Sequence, residues 1–255
     1  NSRKSLDDEY KIYENIISEY RSFQCDSAIK YINKNIAIAE KLGNKDYLNQ
    51  SKLDLSFIMC ISGLFTQALE TLNAIQYDEL PMHLKLSYCW TYIRYYENLI
   101  KYTDDPEYED LYLKEKRNYR EILTSLLDKD SDMYTKEMAF KLQDEGQYKR
   151  SCEILLDIFS RQEPSTHAYA MESMSLAKVY KYMGNSAMEE KYLILAAIMD
   201  VQLAVKENEA LLALAVYLYN KGDMNRAYNY IRIALDDANF FNSRFRNTVI
   251  ARVYP

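Results

Sequence analysis

MAFKLQDEG at residues 138–146, LAKVYKYMG at 176–184 and LAVYLYNKG at 214–222 are three versions of one nine-residue phrase. Each opens on an apolar residue followed by alanine, carries a bulky apolar residue four positions after its first, and closes on glycine. Gly146, Gly184 and Gly222 therefore stand 38 residues apart, and Gly63 lies 83 residues before Gly146, about two such steps. A fixed period in the range of about 20 to 50 residues is the mark of a stacked repeat array. The apolar positions inside the phrase have helical spacing, and more follow each glycine: Tyr148, Leu155 and Ile158, then Leu193 and Ala196, then Ala227, Ile231 and Ala234. The reading is helix, tight turn, helix, because glycine takes the positive φ of such a turn at no steric cost. Small residues let the two helices of a pair approach, and large ones fill the gap to the next pair.

Composition supports helices over strands. Of 255 residues 48% are hydrophobic, enough for a continuous core, while 5 Gly and 4 Pro stand against 25 Tyr. So few turn formers exclude a chain of many short strands. A formal net charge of −6 gives no electrostatic footprint for nucleic acid, so no such partner is expected through this region. The end of the chain is locally basic, with Lys221, Arg226, Arg232, Arg244, Arg246 and Arg252 facing only Asp223, Asp236 and Asp237, which reads as a solvated helix face. No apolar run of 18 residues occurs, so membrane attachment is expected only through segments outside residues 1–255. Cys25, Cys60, Cys89 and Cys152 lie in apolar helical patterns without paired spacing and read as buried free thiols.

The expected architecture is all-α: a right-handed α-solenoid of about six helical hairpins in a single domain over residues 1–255. The units run approximately over 7–43, 46–81, 83–128, 132–166, 168–204 and 207–239, and 243–253 reads as the start of a further helix without a partner. Asp26 is the expected cap of the second helix, and Gly43 its stop. The third unit departs, since no glycine marks its turn and its first helix is crowded with Tyr88, Trp90, Tyr92, Tyr95 and Tyr96. Asp104 and Asp105 with Pro106 supply a cap and a first-turn proline for its long second helix.

These residues resemble a known repeat. Leu176-Ala177 with Tyr180 and Gly184, and Leu214-Ala215 with Leu218 and Gly222, look like the first-helix signature of the tetratricopeptide repeat (TPR). Ala68, Leu72 and Ile75, and Ala227, Ile231 and Ala234, look like its second. The likeness covers five of about six units, at a period of 38 to 42 where 34 is usual. A narrower resemblance rests on Tyr20-Arg21-Ser22-Phe23, Ala28 through Asn35, and Gly63-Leu64-Phe65-Thr66-Gln67-Ala68-Leu69. These are similar to the N-terminal part of bacterial TPR-containing membrane-anchored regulators. In that family a signal peptide precedes the repeats, and a transmembrane helix, a coiled coil and a C-terminal domain of unknown function follow them. The resemblance implies a non-catalytic protein- or peptide-binding scaffold, the sensor half of a transcriptional regulator, on the periplasmic side of the inner membrane. The alternative is a cytoplasmic TPR receptor for a small peptide or small molecule.

Nothing in the residues argues for an enzyme, a metal or a cofactor. His83 and His167 each sit at a helix start and read as exposed first-turn residues. Asp128, Asp130 and Asp132 open like a calcium loop, but Met133 replaces the required glycine and Ala139 the closing carboxylate. A helix-linking turn capped by Asp132 is expected instead. Asn49-Gln50-Ser51 matches a glycosylation triplet but falls inside a predicted helix.

The face of the first helices is the remaining candidate. In the TPR fold, positions two, three, six and ten before the turn glycine point into the groove. That rule selects Lys136, Phe140, Gln143 and Asp144; Met174, Lys178, Lys181 and Tyr182; and Tyr219 and Asn220. It also reaches Phe57, Cys60, Ile61, Leu212 and Val216, of which Phe57, Ile61, Leu212 and Val216 read as packing between units. Rings beside Lys and Asn suit an extended peptide, so the expected partner is a protein or peptide. Trp90, Tyr92, Tyr95 and Tyr96 form an alternative aromatic pocket.

Overall fold

The computed structural model describes residues 2–103, 105–207 and 209–253. Among them are thirteen α-helices and no strand: α1 (Ser2–Tyr20), α2 (Cys25–Leu42), α3 (Lys45–Ser62), α4 (Phe65–Asn73), α5 (Met82–Tyr102), α6 (Pro106–Leu126), α7 (Asp132–Asp144), α8 (Tyr148–Ser160), α9 (His167–Tyr182), α10 (Ser186–Gln202), α11 (Ala210–Asn220), α12 (Met224–Phe241) and α13 (Arg244–Val253). The all-α hairpin architecture expected from the glycine period is the one observed. No helix is long and apolar enough to cross a membrane among the described residues.

Two kinds of position make the hairpins. At the turns, Gly184 has φ +70 and donates its N–H to the Lys181 carbonyl at 3.0 Å, closing α9. Asn185 follows at once, and its Oδ1 accepts from Met188 N at 3.2 Å, opening α10. One dipeptide thus satisfies orphan groups of both helices. In the helices, Ala139, Ala177 and Ala215 are all buried, each seven residues before its glycine. Their methyl groups leave room for the second helix, and Leu155, Leu176, Leu193 and Leu214 fill the space around them.

The packing divides into two compact units. The first comprises Asn1–Leu126 and Ala238–Arg252; the second comprises Leu127–Asp237 and Val253–Pro255. In the first unit α1 and α2 meet through Ile17, Ala28 and Ile32, and Tyr10 stacks on Tyr47 of α3 with ring centroids 4.0 Å apart. The Tyr10 hydroxyl donates to the Tyr47 carbonyl at 3.0 Å and meets Ser51 Oγ at 3.1 Å. Two buried asparagines fix the register of neighbouring helices: Asn35 Nδ2 donates to the Tyr10 carbonyl and Asn98 Nδ2 to the Cys60 carbonyl, each at 3.2 Å. In the second unit α7 to α11 and α12 up to Asp237 share one core.

Several local expectations change. Gln24, not Asp26, occupies the N-cap of α2, and Asp26 lies in the first turn, where a carboxylate suits the helix dipole. Ser131, not Asp132, caps α7, its Oγ accepting from Tyr134 N at 3.1 Å, while Asp132 pairs with Arg161 at 2.7 Å. Asp105 Oδ1 accepts from Glu107 N at 2.9 Å at the start of α6; Asp104 lies outside the described residues. The basic end is not a solvated face throughout, because Arg246 is buried and lies 5.3 Å from the Phe245 ring.

The further helix expected over 243–253 is α13, which packs within the first unit. Phe245 and Ile250 are buried, and Phe245 packs edge-on against Phe65 at 5.8 Å. Ser243 Oγ donates to the Ile61 carbonyl at 2.9 Å. Arg252 donates to the carbonyls of Lys101 and Tyr102, at 3.2 and 2.5 Å. The segment from Ala238 therefore lies across the hairpin turns of its own N-terminal unit.

Candidate functional site

The first helices of the second unit carry most of the residues that the groove rule selects. On α7, Lys136 is half-buried and donates to Glu172 Oε1 of α9 at 2.5 Å, with its ammonium 5.8 Å from the Phe140 ring centroid. Phe140 packs half-buried against the core of the unit. Gln143 is turned away from solvent, donating from Nε2 to Ser151 Oγ of α8 at 3.1 Å, and Asp144 is exposed. The spacing of three before the glycine is therefore inward-facing on α7.

On α9 the picture differs. Met174 packs half-buried against the core, whereas Lys178, Lys181 and Tyr182 are exposed. The Tyr182 ring stacks on Tyr148 at 5.1 Å with 18° between planes, which fixes one of its faces and leaves it 49% exposed. Met171, Lys178 and Tyr182 stand at i, i+7 and i+11, one face of the helix, and all three are open to solvent. The groove rule does not select Met171, which lies thirteen residues before Gly184, one turn further than the rule reaches. On α11, Tyr219 and Asn220 are exposed, Val216 is half-buried and Leu212 is buried.

Glu172 is the other residue missed. It is buried, its Oε1 holds Lys136, and its Oε2 has no hydrogen-bond partner. No repeat position singles it out, since Glu172 lies twelve residues before Gly184, two beyond the positions that the groove rule reads, and 36 residues after its partner Lys136.

The first unit carries the other candidates. Tyr92 is buried and stacked on Tyr119 at 4.1 Å and 3°, and its hydroxyl donates to Asn73 Oδ1 at 2.8 Å. Tyr95 lies edge-on to Phe65 at 6.1 Å and 5.2 Å from Tyr96, while Trp90 is half-buried. The tyrosine rings of this group are packed on one another. Burial and mutual contact push the Tyr92 and Tyr119 phenols far above their usual range. Phe57 lies under the Arg21 guanidinium at 4.1 Å, and Arg21 pairs with Asp54 at 3.6 Å. Burial pushes the Asp54 carboxyl up against the pull of Arg21. Burial works the same way on Glu97, but Arg94, Lys116, Lys101 and Arg120 outweigh it and hold that carboxyl below its ordinary value. His83 and His167 are exposed near helix starts. No group of three or more His, Cys, Asp or Glu that could hold a metal occurs among the described residues.

Comparison with known proteins agrees with this architecture. A Rap protein complexed with competence and sporulation factor has a similar structure, with a TM-score of 0.50, 13% identity, and coverage of 97% of this chain and 80% of that one. Apo RapI is similar over 97% of this chain and 85% of its own, at 16% identity and a TM-score of 0.38. A thermophilic TPR protein of Thermus thermophilus is similar over 97% of this chain and 98% of its own, at 15% identity and a TM-score of 0.33. No curated protein matches in sequence. TPR domains are typically binding scaffolds without catalytic activity. The sequence model described as the SusR N-terminal TPR domain matches residues 1–252, and the chain belongs to that family.

Proposed function

We propose that this chain is the sensing half of a membrane-tethered transcriptional regulator, and that it captures a protein or peptide on the periplasmic side of the inner membrane. Family membership over residues 1–252 is the observation that carries the reading. The face of α9 supports it: Met171 offers an apolar contact, Lys178 a charge and Tyr182 a rigid ring held by Tyr148. Aromatic anchors with adjacent polar groups are the usual composition of a binding hot spot. Lys136, Phe140, Gln143, Asp144, Met174, Lys181, Tyr219 and Asn220 complete the proposed face, with Lys136 and Gln143 shaping it from below.

Partner capture from the native periplasm, with the whole protein as bait, tests the reading. Lys178→Glu with Lys181→Glu is expected to abolish capture while the circular dichroism melt stays unchanged. Undiminished capture would move the site off this face. Protease added to intact spheroplasts is expected to cut the repeats; full protection would place them in the cytoplasm and favour the receptor alternative.

A further inference from the structure

The solvent side of α6 carries a charge order that its own hairpin does not use. The inner side of this helix packs on α5: the Tyr112 ring lies 6.2 Å from that of Tyr96, Tyr119 stacks on Tyr92 at 4.1 Å, and Lys116, Arg120 and Leu123 are buried. The outer side presents Glu107, Asp110, Leu111, Lys114 and Arg117 at steps of three and four, one face of a helix, and all five are exposed. Leu111 is 50% exposed, so an apolar side chain stands uncovered in the middle of the charged row.

Glu107 lies in the first turn, where a carboxylate suits the helix dipole. Lys114 and Arg117 stand in the middle of the helix, where the dipole gives no reason for a base. Asp110 and Lys114 are four residues apart, the spacing for a bridge within the helix. Yet none of the four charged side chains has a hydrogen-bond or ion-pair partner among the described residues.

The row is its own complement. When a second α6 is laid antiparallel on the first and the two cross at Tyr112, positions equally far on either side of that level come together. Glu107 stands five residues before Tyr112 and Arg117 five after; Asp110 stands two before and Lys114 two after. Each acid of one copy then meets a base of the other, and at about 1.5 Å per residue the two outer pairs lie about 15 Å apart. The two Leu111 side chains meet beside the axis and cover each other. In a parallel pairing in register like charges would face, so the order selects one arrangement. A two-fold contact is built from one patch used twice, and self-complementarity is what it requires.

We propose that α6 is a homodimer contact, through which two copies of this chain associate antiparallel about a two-fold axis at Tyr112. The contact is small and polar, so the association is roughly micromolar. It uses a different helix from the α9 face and stands whether or not that face captures a peptide.

Sedimentation velocity of the chain over a dilution series tests this. The parent is expected to pass from monomer to dimer between roughly 1 and 100 μM, and to associate at least tenfold more weakly in about 0.5 M salt, where exposed charges are screened. Asp110→Lys sets lysine against lysine across the axis and Lys114→Asp sets carboxylate against carboxylate, so each variant alone is expected to stay monomeric. An equimolar mixture of the two variants is expected to regain the dimer, because in the mixed pair each base again faces an acid. Both positions are in solvent, and circular dichroism melts are expected to match the parent. A parent that stays monomeric to about 100 μM would overturn the proposal. So would association that persists in either variant alone, or a mixture no more associated than its components.

Discussion

Lys136 Nζ and Glu172 Oε1 meet at 2.5 Å across two neighbouring first helices, with side chains 21% and 7% exposed. The pair ties α7 to α9 and takes up the charge that a groove lysine would otherwise offer a ligand. Removing one partner leaves the other ion desolvated and alone, which costs about 3–5 kcal/mol in buried pairs. Lys136→Met is expected near the lower end, because Lys136 keeps one edge in solvent. The double change Lys136→Met with Glu172→Leu is expected to recover most of that loss in urea denaturation. A double variant no more stable than the single would show that the pair is not the cause.

Ala177 tests the hairpin logic. It is 2% exposed and lies where α9 approaches α10. Ala177→Leu forces three more carbons into a filled space and is expected to cost about 1–3 kcal/mol. The same substitution at exposed Ala187 is expected to stay within about 0.5 kcal/mol. Equal effects on thermal unfolding would contradict the close approach.

The thiols give a pH prediction. Cys25, Cys60, Cys89 and Cys152 are all buried and free. Burial pushes Cys25 and Cys89 up to about 11 and Cys60 to about 12, from an ordinary value of 9.0. Alkylation of these three at pH 8 is expected to be slower in the native protein than in urea, by on the order of 100-fold for a shift of two units. The folded state holds its protons where the unfolded state has lost them. Stability is therefore present in full below pH 9 and falls as pH rises from 9 toward 11, by about 1.4 kcal/mol per unit for each thiol. Rapid native alkylation of Cys60 would refute the burial.

Ser131 and Asp132 separate a cap from its neighbour. Ser131→Ala removes the acceptor for Tyr134 N and is expected to cost about 1 kcal/mol. Asp132→Ala loses only an exposed pair with Arg161 and is expected to change stability by less than about 0.5 kcal/mol. Chemical denaturation of the two variants side by side checks the difference.

Sequence patterns reveal the repeated parts of this molecule and miss its singular ones. Gly184 with Asn185, and Ala177 behind them, recur one period on as Gly222 with Asp223 and Ala215, so local spacing is enough to place the turns and the core. Gln24 displaces Asp26 as the cap of α2 because the chain enters that helix two residues earlier than its best capping side chain would set it. Lys178 and Tyr182 are legible as exposed first-helix residues because their face is set by α9 alone. Glu172 is not, because its partner lies 36 residues away on another helix. The seat of α13 is hidden for the same reason in stronger form: Ser243 and Ile61 are 182 residues apart, and no periodicity relates them.

That separation also sets an order of events during biosynthesis. The ribosome finishes the α3–α4 turn long before Phe245 exists, and at roughly 5–20 residues per second a gap of 182 residues lasts about ten to forty seconds. Throughout that interval the Phe65 ring lacks its Phe245 neighbour and the Ile61 carbonyl its Ser243 donor, on a nascent polypeptide open to whatever chaperone attends its emergence.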